Sequence, residues 1–225
     1  MQVAELMVRG VVVGLFRENC WIIGSRRTGA AVVVDPGDEA DEILALARDL
    51  GVRIEKIVCT HAHLDHVLAT GPVKEATGAP LLLQASDLDL LRAVPQQAAW
   101  FGLSAPRPPD PDFLLQDGDD LEVAGITLRV IHTPGHTPGA VSLYTPGLLF
   151  SGDTLFRGSI GRTDLPGGDY RQLLASLVDR LLALPDDTVV LPGHLEQTTI
   201  GQERATNPFV REELARRAAG AGPRR

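Results

Sequence analysis

Histidine and aspartate side chains follow directly after short apolar runs in this chain, and this arrangement limits the folds open to it. The run over 54–59 is followed by His61, His63 and His66, and three later runs are each followed by one further such residue. Apolar runs of this length, bounded by turn residues, are typical of buried strands. A fold in which four buried strands end at one edge of a sheet would bring these side chains together.

The pattern along the chain predicts strands and then helices, twice over. Strands are expected over 3–8, 11–16, 20–23, 30–35, 54–59 and 80–83, with helices over 38–50, 67–76 and 86–93. The stretch 94–116 is rich in proline and is expected to be irregular. Strands over 121–123, 127–132, 140–144, 148–151 and 188–191 and a helix over 170–184 follow. Two sheets packed face to face with helices outside would accommodate this order. A doubly wound dinucleotide fold would need a GxGxxG after the first strand, which the sequence lacks.

Composition excludes several classes of protein. With 225 residues, 44% of them hydrophobic, the chain can bury a large core and is not a disordered chain. Two cysteines exclude a disulfide scaffold, and Cys59 is expected to be an inert buried thiol. A net charge of −8 argues against nucleic-acid binding. Neither a membrane span nor a signal peptide is evident, so we expect a cytoplasmic protein that binds no membrane.

The segment THAHLDH carries the densest group of candidate metal ligands. Residues two apart in an extended or turning backbone point the same way, so His61 and His63 can share one cation. Asp65 and His66 then face a neighbouring position. Imidazole nitrogen and carboxylate oxygen are ligands that suit Zn²⁺.

Three further candidates follow later strands. His136 lies inside the turn of HTPGHTPG, whereas His132 still belongs to the preceding strand and is expected to pack or hydrogen-bond. Asp153 follows in SGDT, and His194 follows in LPGH. Singly, Asp153 and His194 are weak signals, because an aspartate at a strand end is more often a cap.

Together, THAHLDH, HTPGHT, SGDT and PGH, preceded by Asp35 of VVVDPG, resemble in order the five motifs of the metallo-β-lactamase fold superfamily. The resemblance implies an α+β fold: an αββα four-layer sandwich of two mixed sheets with helices outside. It also implies a two-metal site along one sheet edge. Residues 1–206 would form the hydrolase domain, and 207–225 a helical segment and frayed basic tail of the same domain.

The resemblance also implies a set of metal ligands. His61, His63 and His136 would hold one divalent metal, and Asp65, His66 and His194 a second, with Asp153 bridging both. Asp65 and Asp153 are the candidate catalytic carboxylates. Zinc is the foremost metal, and iron or manganese also suits these ligands. Asp35 would orient the histidine loop, although capping a turn before Pro-Gly explains it equally well.

The second half of the chain resembles one branch of the superfamily, the short bacterial glyoxalase II enzymes. The segments FSGDTLFRGSIGRTDLPGGDY, LPGH, TTIG and ERATNPF carry this resemblance. It implies hydrolysis of a small thioester, such as S-D-lactoylglutathione, to D-lactate and free thiol. The commonest β-lactamases match less well, since they place a cysteine at the position of Asp153 and lack a histidine at position 66. The family pattern PGHGP also changes here, to Pro192-Gly193-His194-Leu195-Glu196.

Other functions stay open. Persulfide dioxygenases of the superfamily share the GRTD and ERxxNP segments, and their iron triad corresponds to His61, His136 and Asp153. Other small ester, lactone or thioester hydrolases are a further alternative. A non-catalytic binding module would be expected to have lost some ligands, and all seven are present here.

Substrate contacts are less constrained than metal ligands. Arg157 and Arg162 flank a glycine-rich segment after Asp153 and could bind substrate carboxylates. Alternatively, Arg162 pairs with Asp164 or Asp169 and holds the loop. Trp100 and Phe101 could roof the pocket or plug the core. The sequence predicts a small-molecule substrate and leaves the oligomeric state undetermined.

Overall fold

The computed structural model describes residues 6–123 and 125–220. Its first sheet contains β1 (Leu6–Val13), β2 (Glu18–Ser25), β3 (Ala30–Val34), β4 (Arg53–Val58), β5 (Leu81–Gln84) and β6 (Phe113–Leu115), in that order. β1, β2 and β3 pair antiparallel, whereas β3 to β6 pair parallel. The connections within the parallel half carry the helices α1 (Ala40–Asp49), α2 (Leu64–Val67), α3 (Thr70–Thr77), α4 (Leu88–Arg92) and α5 (Val94–Trp100).

The second sheet is built from the later strands. Its order is β14-β13-β10-β9-β8-β7, with β7 (Asp120–Val123), β8 (Ile126–His132), β9 (Val141–Thr145), β10 (Leu148–Gly152), β13 (Val189–Pro192) and β14 (Thr198–Thr199). Only the β10–β13 pair is parallel among the described strands of this sheet, so both sheets are mixed. β11 (Leu155–Phe156) and β12 (Ser159–Ile160) form a separate hairpin.

Helices on the outer faces complete four layers. α6 (Tyr170–Ala175) continues as a π-helix over Ser176–Leu181, and α7 (Ile200–Thr206) and α8 (Pro208–Ala218) follow. β3 shows how the layers form: Val32 and Val34 pack between the sheets, while Ala31 and Val33 pack against the helices. This alternation follows from the two-residue period of a strand that is buried on both faces. The predicted αββα sandwich is confirmed.

The N-terminal prediction of two strands was wrong, because β1 runs unbroken over Leu6–Val13. Gly10 in its middle is not a turn residue. The Trp21 ring lies over it so closely that a Cβ at position 10 would come within 2.7 Å of the ring. The chain turns instead at 14–17, and residues 1–5, part of the predicted first strand, lie outside the described residues.

Three other segments differ from expectation. The stretch 94–116 was expected to be irregular but contains α5 and β6. Pro95 does not prevent α5 from forming, because it stands in the first turn of the helix, where the missing N–H costs no hydrogen bond. The helix expected over 67–76 is two helices, α2 and α3, which are separated at Leu68 and Ala69.

The helix expected over 170–184 widens to a π-helix at Ser176 while keeping Leu173, Leu177 and Leu181 buried.

The C-terminal segment packs on the second sheet's helix layer. Val210 of α8 is buried with Leu174 and Leu177. We propose on this basis that the segment from 207 belongs to the same domain as 1–206. The predicted fraying falls partly on residues 221–225, which lie outside the described residues. No helix within 6–123 and 125–220 has the length and apolar character needed to cross a membrane.

Candidate metal centre

Four strand ends deliver the predicted ligands to one edge of the sandwich. β4 leads into the loop with His61 and His63, and β8 leads into the turn with His136. β10 ends just before Asp153, and β13 ends two residues before His194. Because β4 lies in the first sheet and the other three in the second, the donors meet only through the packing of the two sheets.

The first group of donors is His61, His63 and His136, all buried, with ring nitrogens within 4.8 Å of one another. His63 Nδ1 lies 2.8 Å from His136 Nε2. The other nitrogen of His136, Nδ1, is 2.7 Å from the carbonyl oxygen of Arg162, to which it can donate. His61 Nδ1 lies 3.1 Å from the Thr60 hydroxyl. These outer contacts turn His61 Nε2 and His136 Nε2 toward the group's interior.

The second group is Asp65, His66 and His194. Asp65 Oδ2 lies 3.2 Å from His194 Nε2. Asp153 stands between the groups: its Oδ2 is 3.6 Å from both His136 Nε2 and His194 Nε2, and its Oδ1 is 3.4 Å from His66 Nε2. A single carboxylate thus reaches one member of the first group and two of the second.

Several of these atoms are buried without a hydrogen-bond partner among the described residues. They include His61 Nε2, His66 Nε2 and Asp153 Oδ1. Leaving buried polar atoms unpaired costs about 1–3 kcal/mol each, and more for a charged group. Metal cations at the two donor groups would satisfy all three, so the donor set fits the divalent metals that bind imidazole and carboxylate.

The pKa shifts of four candidate ligands agree with metal binding, whereas the carboxylates of Asp65 and Asp153 outweigh burial and raise the pKa of His66 and His194. Burial, with the neighbouring histidines, drives the pKa of His61 well below its usual value and that of His63 to about 3. Both rings are therefore neutral and offer a lone pair. Burial raises the pKa of Asp153, but His66, His136 and His194 together outweigh it, so the pKa of this carboxyl falls below its usual range. Burial also raises the pKa of Asp65, but His66 and His194 together outweigh it, so the pKa of Asp65 is lowered as well.

Asp35 braces the histidine loop from behind. Its Oδ1 accepts a hydrogen bond from the Thr60 N–H at 2.6 Å, and its Oδ2 accepts from the Thr60 hydroxyl at 2.7 Å. His66 Nδ1 lies 3.1 Å from the same Oδ2. Asp35 itself has a positive φ of 52°, a conformation that aspartate tolerates better than most residues. It contacts the loop that the resemblance says it orients.

Candidate ligands approach the backbone of two glycines so closely that a side chain there would collide with them. A Cβ on Gly193 would lie 2.4 Å from Asp153 Oδ1 and 2.6 Å from His66 Cε1. A Cβ on Gly161 would lie 1.9 Å from the carbonyl oxygen of Asp153. No side chain fits at either position without moving Asp153.

Sequence reasoning missed three buried polar residues that support the centre. Asp87 accepts hydrogen bonds from the Ala62 N–H, the Thr137 hydroxyl and the Gly139 N–H. Gln97 accepts from the Leu64 N–H and donates to the Ala62 carbonyl. In the sequence, Asp87 reads as an ordinary acidic residue at a helix start, and Gln97 lies in the stretch expected to be irregular.

The third missed residue is Glu18, whose two carboxylate oxygens have no hydrogen-bond partner in the described residues. One of them lies 3.9 Å from His66 Nδ1. Burial raises the pKa of Glu18 well above its usual value. No motif in the sequence singled it out.

The structure brings together all seven residues predicted as ligands, and it leaves His132 outside, with its Nε2 2.9 Å from the Pro138 carbonyl. Cys59 is buried, as expected. Trp100 and Phe101 line the cavity over the centre instead of plugging the core.

Both candidate substrate arginines are in ion pairs. Arg162 donates two hydrogen bonds to Asp164, and Arg157 lies 3.5 Å from Glu196. Their contact with substrate stays a prediction.

A sandwich of this kind with histidine and aspartate donors at one edge defines a metallo-hydrolase fold. Residues 13–194 match the Metallo-beta-lactamase superfamily, so the chain belongs to this family.

Curated relatives with functional names include a hydrolase and a probable metallo-hydrolase. "Hydroxyacylglutathione hydrolase GloC" of Haemophilus influenzae is 37% identical over 209 residues, covering 89% of this chain and 96% of that protein. "Probable metallo-hydrolase YqgX" of Bacillus subtilis is 34% identical, covering 90% of this chain and 96% of that one.

Solved structures of similar proteins point in more than one direction. TTHA1623 in a di-iron-bound form is 44% identical, with a TM-score of 0.82 over 89% of this chain and 99% of that one. BLEG-1 B3 metallo-beta-lactamase is 36% identical, with a TM-score of 0.85 over 91% and 99%. ETHE1 from Myxococcus xanthus is 28% identical, with a TM-score of 0.78 over 97% and 92%. The di-iron relative and the two donor groups support a site for two divalent metals.

Proposed function

We propose that this protein hydrolyses small thioesters, such as S-D-lactoylglutathione, at a two-metal centre. The observation that carries the proposal is the position of Asp153, whose carboxylate lies between two groups of histidines with unpartnered buried nitrogens. Similarity to the relative named hydroxyacylglutathione hydrolase supports the choice of substrate class.

In this proposal each donor group would hold one metal ion. The first ion would be held by His61, His63 and His136, and the second by Asp65, His66 and His194, with Asp153 available to both. Zinc is the foremost metal for this set, and iron and manganese also suit its ligands. Two such ions lower the pKa of bound water and polarise a carbonyl oxygen.

The chain's own residues position the reaction. In the hydrolysis, a water oxygen bonds to the thioester carbonyl carbon and the carbon–sulfur bond breaks. The products are a carboxylate, a thiol and one proton. Asp65 lines the floor of the cavity, and we infer that its carboxylate accepts the proton of the attacking water. Asp153 lies between the two donor groups and contacts histidines of both.

A thioester is the substrate that this cavity can cleave with the fewest additional groups. The leaving thiol has a pKa of about 8.5, so it can depart as thiolate without a general acid. Apart from the candidate ligands, the described residues that line the cavity include no histidine, aspartate or glutamate. An amide or phosphodiester has a more basic leaving group, so its cleavage would depend more strongly on a proton donor.

Persulfide dioxygenation is the second candidate. The triad of two histidines and one carboxylate suits a single Fe(II), and His136 Nε2 lies 3.6 Å from Asp153 Oδ2. Similarity to ETHE1 from Myxococcus xanthus adds weight to it. The reaction would convert a persulfide, O₂ and water to a thiol, sulfite and two protons. It leaves the Asp65, His66 and His194 group without a role, which is why we rank it second.

One paired experiment separates the two candidates. Metal-reconstituted protein is given S-D-lactoylglutathione while thiol release is followed, and glutathione persulfide while oxygen uptake is followed. We expect thiol release without oxygen uptake. Oxygen uptake without thioester cleavage would overturn the hydrolase and establish the dioxygenase.

A further inference from the structure

The cavity above the candidate metal centre has a volume of about 450 Å³ and walls of unusual chemistry. Its floor is made of candidate ligands, among them Asp65, Asp153 and His194. Its walls are mainly apolar and include Phe16, Trp100, Phe101, Phe156, Ile160 and Leu195. Thus one end of the cavity is ionic and the other is hydrocarbon.

The apolar wall residues at the cavity mouth are left in contact with solvent. Trp100 is 59% exposed, Phe101 48% and Leu195 59%. They come from two distant segments, the end of α5 and the turn after β13. Phe16, from the turn between β1 and β2, packs edge-to-face on Phe101 at 4.8 Å. Exposed apolar groups that converge on one cavity mark a ligand contact surface.

Leu195 has an unfavourable backbone conformation. Its φ is +66°, a region that leucine rarely adopts and that glycine enters freely. Since the Leu195 side chain is largely exposed, core packing does not explain why the strained conformation is tolerated. The Leu195 carbonyl accepts a hydrogen bond from Asn19 Nδ2 at 2.9 Å, which holds this lip in place. Strain of this kind is found at functional positions.

Charged groups that could bind a hydrophilic substrate are scarce in the same walls. Arg162 is the one charged residue, besides the candidate ligands, among the described residues that line the cavity. It is bound by two hydrogen bonds to Asp164. A substrate with several charges would therefore meet hydrocarbon instead of counter-ions at the mouth.

We propose that Leu195, with Phe101 and Trp100, makes this site selective for thioesters that carry an apolar substituent beside the scissile bond. The inference rests on the proposed thioester hydrolysis and adds its substrate class. The apolar substituent lies against these three side chains, and the thioester carbonyl faces the donors on the floor.

The test compares kcat/KM of the metal-reconstituted full chain on two pairs of substrates. Hexanoylglutathione and acetylglutathione differ only in the acyl group, whereas the acetyl thioesters of butanethiol and glutathione differ only in the thiol. Each methylene fully removed from water improves binding by about fourfold. With partial burial of the chain, we expect the apolar member of at least one pair to be favoured tenfold or more. The pair that shows the preference identifies which side of the bond lies in the mouth.

Two variants test whether the preference for apolar thioesters arises from the residues at the cavity mouth. Leu195→Asn keeps the number of side-chain heavy atoms and tolerates a positive φ but is polar, and Leu195→Gly removes the side chain and the strain. We expect both to reduce the preference at least fivefold, with metal content unchanged and with no loss of thermal stability in the glycine variant. Leu114→Asn is the matched control, because Leu114 is an exposed leucine outside the cavity lining and should leave the preference unaltered.

The outcomes separate this inference from the function on which it rests. If no thioester is cleaved by metal-loaded protein, the proposed function fails and the inference with it. If thioesters are cleaved but the apolar members are not favoured, the proposed function stands and the inference is overturned. An apolar preference that survives both Leu195 variants would overturn the role of Leu195.

Discussion

Replacing Asp87 tests whether a buried carboxylate outside the donor set holds the metal centre together. Asp87 joins two loops that are far apart in sequence, since Ala62 lies between two candidate ligands and Thr137 directly follows a third. Its Oδ2 accepts from the Ala62 N–H at 3.0 Å and the Thr137 hydroxyl at 2.8 Å, and its Oδ1 accepts from the Gly139 N–H at 2.6 Å. Asp87 is fully buried, so these donors have no access to bulk solvent.

The expected loss of unfolding free energy in Asp87→Ala is estimated from the three hydrogen bonds. Hydrogen bonds to a charged group contribute about 1.5–3 kcal/mol each, and the contributions are not additive where the groups share one site. Water entering the vacated space would satisfy part of the loss in Asp87→Ala. We therefore expect a loss of about 3–5 kcal/mol in the free energy of unfolding, the range typical of breaking a buried polar network. For a chain of this length the thermal midpoint would fall by about 6–20 °C.

Asparagine should have a smaller effect. If its oxygen takes the place of Oδ2, it keeps the two hydrogen bonds from Ala62 and Thr137. Its amide then faces the Gly139 N–H, donor against donor. The expected loss is about 1.5–3 kcal/mol, intermediate between wild type and alanine.

The assay is urea unfolding of metal-free protein in a chelator, because bound metal would add its own stabilisation. Metal content after reconstitution is measured in parallel, and we expect the first donor group to lose affinity as its loops separate. Asp89→Asn is the control, since the Asp89 side chain is 98% exposed two residues away. Unfolding free energies of both Asp87 variants within about 0.5 kcal/mol of wild type would refute the reasoning.

Three further predictions concern the centre and the C-terminal helix. Asp153→Ala should lose both metals and turnover, whereas His132→Ala should keep its metal and most of its activity. The metal content of both variants is measured, and metal loss in His132→Ala would show the ligand assignment to be wrong. Gly193→Ala should reduce kcat/KM by about 100-fold, because its Cβ must displace the Asp153 carboxylate, and an unchanged rate would contradict the close packing. Hydrogen bonds from Arg216 and Arg217 lower the pKa of Glu213 to about 2 in the folded protein, against about 4.3 in the unfolded chain. The ionised Glu213 therefore stabilises the folded protein above pH 4.3, and this contribution is lost as the pH falls toward 2. Glu213→Gln should therefore cost about 1–2 kcal/mol at pH 6 and almost nothing near pH 2, measured by urea unfolding of metal-free protein.

Local patterns were enough to predict much of the fold. The uniformly apolar run of β3 and the leucines of α6 report burial through their spacing, which depends on neighbours in the chain. The positions at which strands and helices begin and end were less predictable. Gly10 and Pro95 both read as breaks in the sequence, yet a tryptophan ring lies over Gly10 and Pro95 is tolerated in the first turn of a helix.

The sequence by itself determined which residues are candidate metal ligands: three histidines in THAHLDH and single donors after three later strands, each in a motif read from adjacent residues. Tertiary structure decided which atoms meet. His63 Nδ1 faces His136 Nε2 across 73 residues of sequence, and Asp153 reaches histidines from both groups. It also decided that Asp87 and Glu18 are buried beside the centre and that a strained Leu195 lies at its mouth. These relationships arise from the packing of two sheets, and packing depends on residues far apart in the chain, so no local pattern records them.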